Sequence, residues 1–149
     1  FKIPSKHLAL TVTHGTPDGG TQRLTVIVAH LKAGGTPDEP QRMRQARVLN
    51  KWATKLMTAG TGEGVIVLGD MNANKKFAQT SSADAMGVLR GFETNAVTDD
   101  LFDLNDRLDV ADRRTHASNK ELDRIVVSPN LLDDRGLVFK KLENFRHLV

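Results

Sequence analysis

The chain has 149 residues, 39% hydrophobic and 26% charged, with no cysteine and 21 Lys+Arg against 18 Asp+Glu for a formal charge of +3, the profile of one globular domain able to bury its own core. No apolar stretch nears the roughly 20 residues of a membrane span, and the missing thiols exclude disulfides, thiolate zinc sites and cysteine nucleophiles, so any metal site must use oxygen or imidazole ligands. The small positive excess tolerates a polyanionic partner, and solubility alone also accounts for it.

In chain order, His7 to Thr13 alternates, with Leu8, Leu10 and Val12 on one side, and Gln22 to Leu31 is a second β-rich run that reads as buried on both faces. The turn-rich His14 to Gly20 between them predicts an antiparallel hairpin. Lys32 to Glu39 is a Gly/Pro loop that delivers Asp38 as an N-cap and Pro40 in the first turn of a helix. Met43, Ala46, Leu49, Ala53, Leu56 and Met57 then recur at helical steps, while Arg42, Arg44, Arg47, Lys51 and Lys55 form a charged outer face, and Gly60 ends the helix. Val65 to Gly69 is a short apolar strand, so strand, helix and strand form a βαβ unit in an α/β sheet. Ser82 is placed to cap a shorter helix through Leu89. An irregular stretch to Arg114 carries Asp99, Asp100, Asp103, Asp106, Asp109 and Asp112; their spacing does not fit a calcium loop and reads as a solvated acidic face. Leu122 to Val127 is a further strand, closed by Ser128-Pro129, and Leu137 to Lys141 another.

Ligands of open α/β sheets bind at the carboxyl ends of strands, which singles out Gly69-Asp70-Met71-Asn72. In extended backbone Asp70 and Asn72 project to one side, pairing an ionised acceptor with an amide that can position a water or ligate a metal; a local turn is the competing reading. His30 ends the preceding strand, and two neighbouring strands ending in polar groups bring an imidazole and a carboxylate to one rim. Taken alone, His30 reads as a hydrogen-bonded structural residue. Asp123 interrupts the start of an apolar strand, so it must be paired, exposed or used. Arg124 is not its partner, because adjacent strand residues point to opposite faces. Thr115-His116 either serves a phosphate or sits in a surface turn, with the turn favoured.

The order of these elements is informative: a strand ending His30-Leu31, a helix with Gln41-Arg42 and Gln45-Ala46, then Val65 to Ala73, Thr115-His116, and Leu122-Asp123-Arg124-Ile125-Val126-Val127. From about Leu8 to Pro129 it resembles the endonuclease/exonuclease/phosphatase (DNase I-like) superfamily. The resemblance implies a four-layer α/β sandwich and Mg²⁺- or Mn²⁺-assisted hydrolysis of a phosphoester, nucleic acid or similar. It implies that Asp70 orients or deprotonates the attacking water, that Asn72 supports the metal and phosphate site with Asp70, that His30 contacts the scissile phosphate, and that Asp123 orients a catalytic histidine.

The superfamily's upstream metal-binding Glu and terminal Ser-Asp-His have no counterpart. No Glu precedes Glu39, and His147, the only histidine after Asp123, stands in an unrelated context. The sequence starts Phe1-Lys2-Ile3-Pro4 and stops His147-Leu148-Val149, with no signal-peptide pattern. The expectation is a single truncated domain over 1–149, weakly active or inactive alone because both groups lie beyond its ends. The alternative is a catalytically incomplete domain of the same fold acting as a binding or scaffolding module. A simple nucleic-acid binder using the basic helix is a third, weaker reading.

Overall fold

The computed structural model describes residues 7–60, 63–73 and 82–132. The alternating start of the chain forms β1 (Leu8–Gly15), which turns and pairs antiparallel with β2 (Thr21–His30), Leu8 opposite Val28 and Val12 opposite Leu24. The chain then forms α1 (Glu39–Met57) and returns as β3 (Gly64–Asp70) parallel to β2. This is the expected βαβ unit. A short helix α2 (Ala85–Leu89), a two-residue β4 (Phe102–Asp103) and β5 (Asp123–Val127) follow, giving a five-stranded sheet ordered β1-β2-β3-β5-β4 with β5 antiparallel to both neighbours. The mixed α/β class holds. The strand expected at Leu137 to Lys141, and His147, lie outside the described residues.

The helical spacing of α1 does what it predicts: Ala46, Leu49 and Ala53 are buried against Ile27 and Ala29 of β2, Val65 and Val67 of β3 and Val126 of β5, with Ala85, Val88 and Leu89 of α2 in the same cluster. Each large apolar side chain sealed there contributes about 1.5–3 kcal/mol. Asp38 is the N-cap residue of α1 but makes no capping bond: it ends a 3-10 turn with helical backbone angles, φ -87° and ψ -7°, and its carboxylate lies 3.5 Å from Lys32 Nζ. The helix closes at Met57, and Gly60, at φ +74°, turns the chain away.

Four expectations are corrected. β2 is sealed by α1 only on the side of Ile27 and Ala29; on the other side Leu24 packs against the cluster of Leu104, Val127 and Leu131, but Val28 is 41% exposed, as are Leu8, Leu10 and Val12 of β1 at 67%, 61% and 49%. The alternation was read correctly, but it marks the uncovered face. Arg42 is not on the outer face of α1: it is buried, and its guanidinium donates to the carbonyls of Lys32, Gly34 and Gly35 and to Glu39, satisfying a loop that has few backbone partners of its own. Asp84, not Ser82, caps α2, its Oδ1 accepting from the Gly87 N–H at 2.8 Å. The aspartates of the irregular segment do not form one solvated face: Asp109 and Asp112 are exposed, but Asp99 and Asp103 are buried and Asp106 pairs with Arg90 at 3.0 Å, because that part of the segment folds inward through 3-10 turns.

Candidate active site

The parallel register sets His30 at the end of β2 beside Asp70 at the end of β3, and the antiparallel register sets Asp123 at the start of β5 beside Asp70 on its other side. Residues paired across neighbouring strands share a face, so an imidazole and two carboxylates stand in one row across three strands. His30 Nε2 lies 3.7 Å from Asp70 Oδ2, with both side chains open to solvent, and Asp123 is exposed. The rim inferred from two strand ends is observed, and Asp123 joins it.

Asp70 and Asn72 form the local turn that competes with the site reading. The Asp70 Oδ1 accepts the Asn72 N–H at 2.8 Å, closing a local turn in which Asn72 takes φ +48°, a left-handed conformation that Asn adopts more readily than most residues. The same bond locks the carboxylate plane and leaves Oδ2 toward His30. Asn72 Nδ2 donates to the Leu31 carbonyl at 3.1 Å, tying the β3 turn to the end of β2 and leaving Oδ1 as the acceptor this amide can offer a ligand.

Gly69 makes the approach possible. Its φ is +132°, and a Cβ there would stand 2.1 Å from the Ala29 carbonyl oxygen. Gly69→Ala is therefore expected to cost about 3 kcal/mol, from backbone strain together with overpacking, and to displace the adjacent Asp70. Urea unfolding measures the first effect, and loss of less than 1 kcal/mol would contradict this account.

Asp123 is held through its backbone. Thr115 Oγ1 accepts the N–H groups of Leu122 and Asp123 at 3.1 and 2.9 Å, and the buried Asn105 donates from Nδ2 to the Asp123 carbonyl at 3.2 Å. Arg124, as strand geometry requires, points the opposite way and meets Asp103 at 2.7 Å inside the core. Burial pushes the Asp103 carboxyl above the usual carboxylate range, against the pull of Arg124. The role of Asn105 has no signature in the sequence. His7, also unforeseen, accepts the His30 N–H on Nδ1 at 3.4 Å, and burial lowers its pKa, with the His30 charge adding to the effect. The signal for His7 was present in its position at the start of β1, opposite the end of β2.

For a divalent cation the donor types fit, since Asp70, Asp123 and Asn72 offer the hard oxygens such ions prefer. Their number falls short: among the described residues no group of three or more His, Cys, Asp or Glu side chains could hold a metal.

Comparison with known proteins bears on the whole arrangement. The model of the Endonuclease/Exonuclease/phosphatase family matches residues 2–143, and no curated protein matches the chain. Among solved structures, the chain is similar to the Xenopus laevis APE2 catalytic domain, with 18% identity and a TM-score of 0.57 over 85% of this chain and 46% of that one. It is also similar to the human Nocturnin catalytic domain, with 23% identity and a TM-score of 0.48 over 83% of this chain and 42% of that one. A humanized D. rerio TDP2 gives 18% identity and a TM-score of 0.49 over 85% and 48%. The chain thus spans under half the length of each of these structures. The APE2 likeness shows a DNase I-like fold, and the family match covers nearly the whole sequence, so the chain belongs to the Endonuclease/Exonuclease/phosphatase family.

Proposed function

We propose that this chain carries part of the active site of a metal-dependent phosphoesterase, which hydrolyses a phosphodiester in nucleic acid or a similar substrate by in-line attack of water. The observation that supports it most is the row of His30, Asp70 and Asp123 across three adjoining strands. Two carboxylates opposite each other on one face repel, and a sheet that keeps them is arranged for a cation, a proton or a substrate that compensates them. Asp70, its plane fixed by the Asn72 N–H, aims a water and accepts its proton. His30 donates to a non-bridging phosphate oxygen, where charge grows during attack. Asn72 lines the phosphate position, and Asp123 orients an imidazole and holds its tautomer. Mg²⁺ or Mn²⁺, when bound with ligands beyond these residues, supplies positive charge to the same oxygens.

The test is hydrolysis of plasmid DNA and of bis(p-nitrophenyl) phosphate by the full-length protein, with and without Mg²⁺ and EDTA, beside Asp70→Ala. Cleavage that EDTA stops and Asp70→Ala lowers at least 100-fold is expected. Unchanged hydrolysis in the variant sinks the assignment, and no hydrolysis by the wild type favours a binding or scaffolding module.

A further inference from the structure

The chain leaves β2 through Leu31 and Lys32 and continues into the Gly34-Gly35 loop, one wall of a cavity of about 600 Å³ that Asn72 also lines. Two consecutive glycines leave the conformation of this loop undecided by its own backbone. The helix α1 decides it. Arg42 is 4% exposed; its Nη1 donates to the carbonyls of Lys32 and Gly34 at 3.1 Å each, its Nη2 to that of Gly35 at 2.9 Å, and its Nε to Glu39 at 2.8 Å. Glu39 in turn accepts the Ala85 N–H at 2.7 Å, so the clamp is braced against the start of α2. One turn further along α1, Gln45 Oε1 accepts the Lys32 N–H at 2.8 Å.

That bond reaches the strand-end site. The Lys32 N–H and the Leu31 carbonyl belong to one planar peptide, so neither can turn without the other, and the Leu31 carbonyl accepts from Asn72 Nδ2 at 3.1 Å. Gln45 and Asn72 therefore grip opposite edges of a single rigid unit, while Arg42 fixes the next carbonyl in the chain. An amide whose Nδ2 is committed in this way presents Oδ1 to a ligand. Were the peptide free to rotate, the amide would be free to flip and present its donor end instead. The Arg42 guanidinium is spent on the loop and on Glu39, so it acts on the site only through this route.

We propose, resting on the hydrolytic reading above, that Arg42 and Gln45 are positioning residues: they clamp the loop after β2 and, through the peptide between Leu31 and Lys32, hold the Asn72 side chain with Oδ1 toward the substrate.

In the full-length protein, Arg42→Gln is expected to lower kcat for bis(p-nitrophenyl) phosphate about tenfold or more, and Gln45→Met, which removes one acceptor, by less. Gln45→Glu keeps an acceptor for the Lys32 N–H and retains the wild-type kcat, and Arg44→Gln, on the exposed side of the same helix, leaves it unchanged. The same substitutions are then placed beside Asn72→Gly, which removes the amide and accommodates φ +48°. There Arg42→Gln and Gln45→Met lower kcat by less than about twofold, because residues that act through one another are not additive. A loss of folded protein would lower kcat alike in both backgrounds, so losses that multiply overturn the proposal. A Gln45→Glu variant as impaired as Gln45→Met overturns it too. If Arg42→Gln does not fold, Gln45→Met carries the test. The NMR signals of the Asn72 side-chain amide read the same geometry without turnover: Arg42→Gln and Gln45→Met shift them and Arg44→Gln does not. If the wild type hydrolyses nothing, the hydrolytic reading fails and these signals decide: shifted signals support the positioning, and unshifted ones overturn it.

Discussion

Arg124→Met is expected to destabilise the domain by about 3–5 kcal/mol, a fall of about 10 °C or more in Tm, with no contact to substrate involved. The side chains of Arg124 and Asp103 are 1% and 3% exposed and meet at 2.7 Å. Removing the guanidinium leaves a buried carboxylate whose remaining donor among the described residues is the Asn105 N–H at 3.0 Å, and an uncompensated buried charge is among the costliest defects a core can hold. The double variant Arg124→Met with Asp103→Leu is expected to be more stable than Arg124→Met alone, because it removes the deeper of the two carboxylates that Arg124 meets, leaving only Glu121, which pairs with the same guanidinium at 2.8 Å.

The pH dependence gives an independent sign. Burial already raises the Asp103 pKa in the folded protein, so the folded state holds this proton more tightly than the unfolded one. Stability from this group therefore falls as pH rises from the ordinary carboxylate value through the raised one. Without Arg124 the folded value rises further, so the deficit of Arg124→Met is largest at neutral pH and narrows on acidification. Denaturant unfolding at several pH values measures both, and a deficit under 1 kcal/mol at neutral pH would show that the pair holds nothing together.

This pair marks the limit of what the sequence discloses. The β1–β2 hairpin and the helix between β2 and β3 follow from local periodicity and turn residues, and apolar positions at helical steps have only one efficient way to be buried. The row was partly legible for the same reason: two strands running parallel must end at the same rim, so His30 and Asp70 meet. Asp123 joins them only through the antiparallel register of β5, which no local pattern specifies. The fate of a charge is harder still to read. Arg42 sits in α1 among other basic residues and looks like another solvent-facing cation, yet loop carbonyls eight or ten positions away draw it inward. Asp99 and Asp103 share an acidic stretch with exposed Asp109 and Asp112 and are distinguished only by tertiary partners. Burial of β2 was overestimated because periodicity tells which residues share a face and not what covers that face. Its outer side carries Val28 beside the exposed Leu8, Leu10 and Val12 of β1, an apolar surface of the kind that the second sheet of a four-layer sandwich would cover.

The site should show the opposite signature from the Arg124 pair, with activity lost and stability gained. Asp70→Asn preserves the oxygen that accepts the Asn72 N–H but removes the charge facing His30 and Asp123, so kcat is expected to fall about 10²- to 10⁴-fold. Asp123→Asn in the same row is expected to fall comparably. If the two carboxylates serve one reacting centre, the double variant loses little beyond the worse single variant, since groups that act as a unit are strongly non-additive. In metal-free protein either substitution relieves like-charge repulsion between paired strands and raises stability by about 0.2–1 kcal/mol. A purely structural role for Asp70 in the Asn72 turn predicts otherwise: kcat unaffected by Asp70→Asn, which keeps the acceptor of that bond, and the fold weakened by Asp70→Ala, which removes it. Losses in kcat that simply multiply would place the two carboxylates in separate functions. Non-additive kinetics together with a gain in stability would identify the row as strain retained for chemistry.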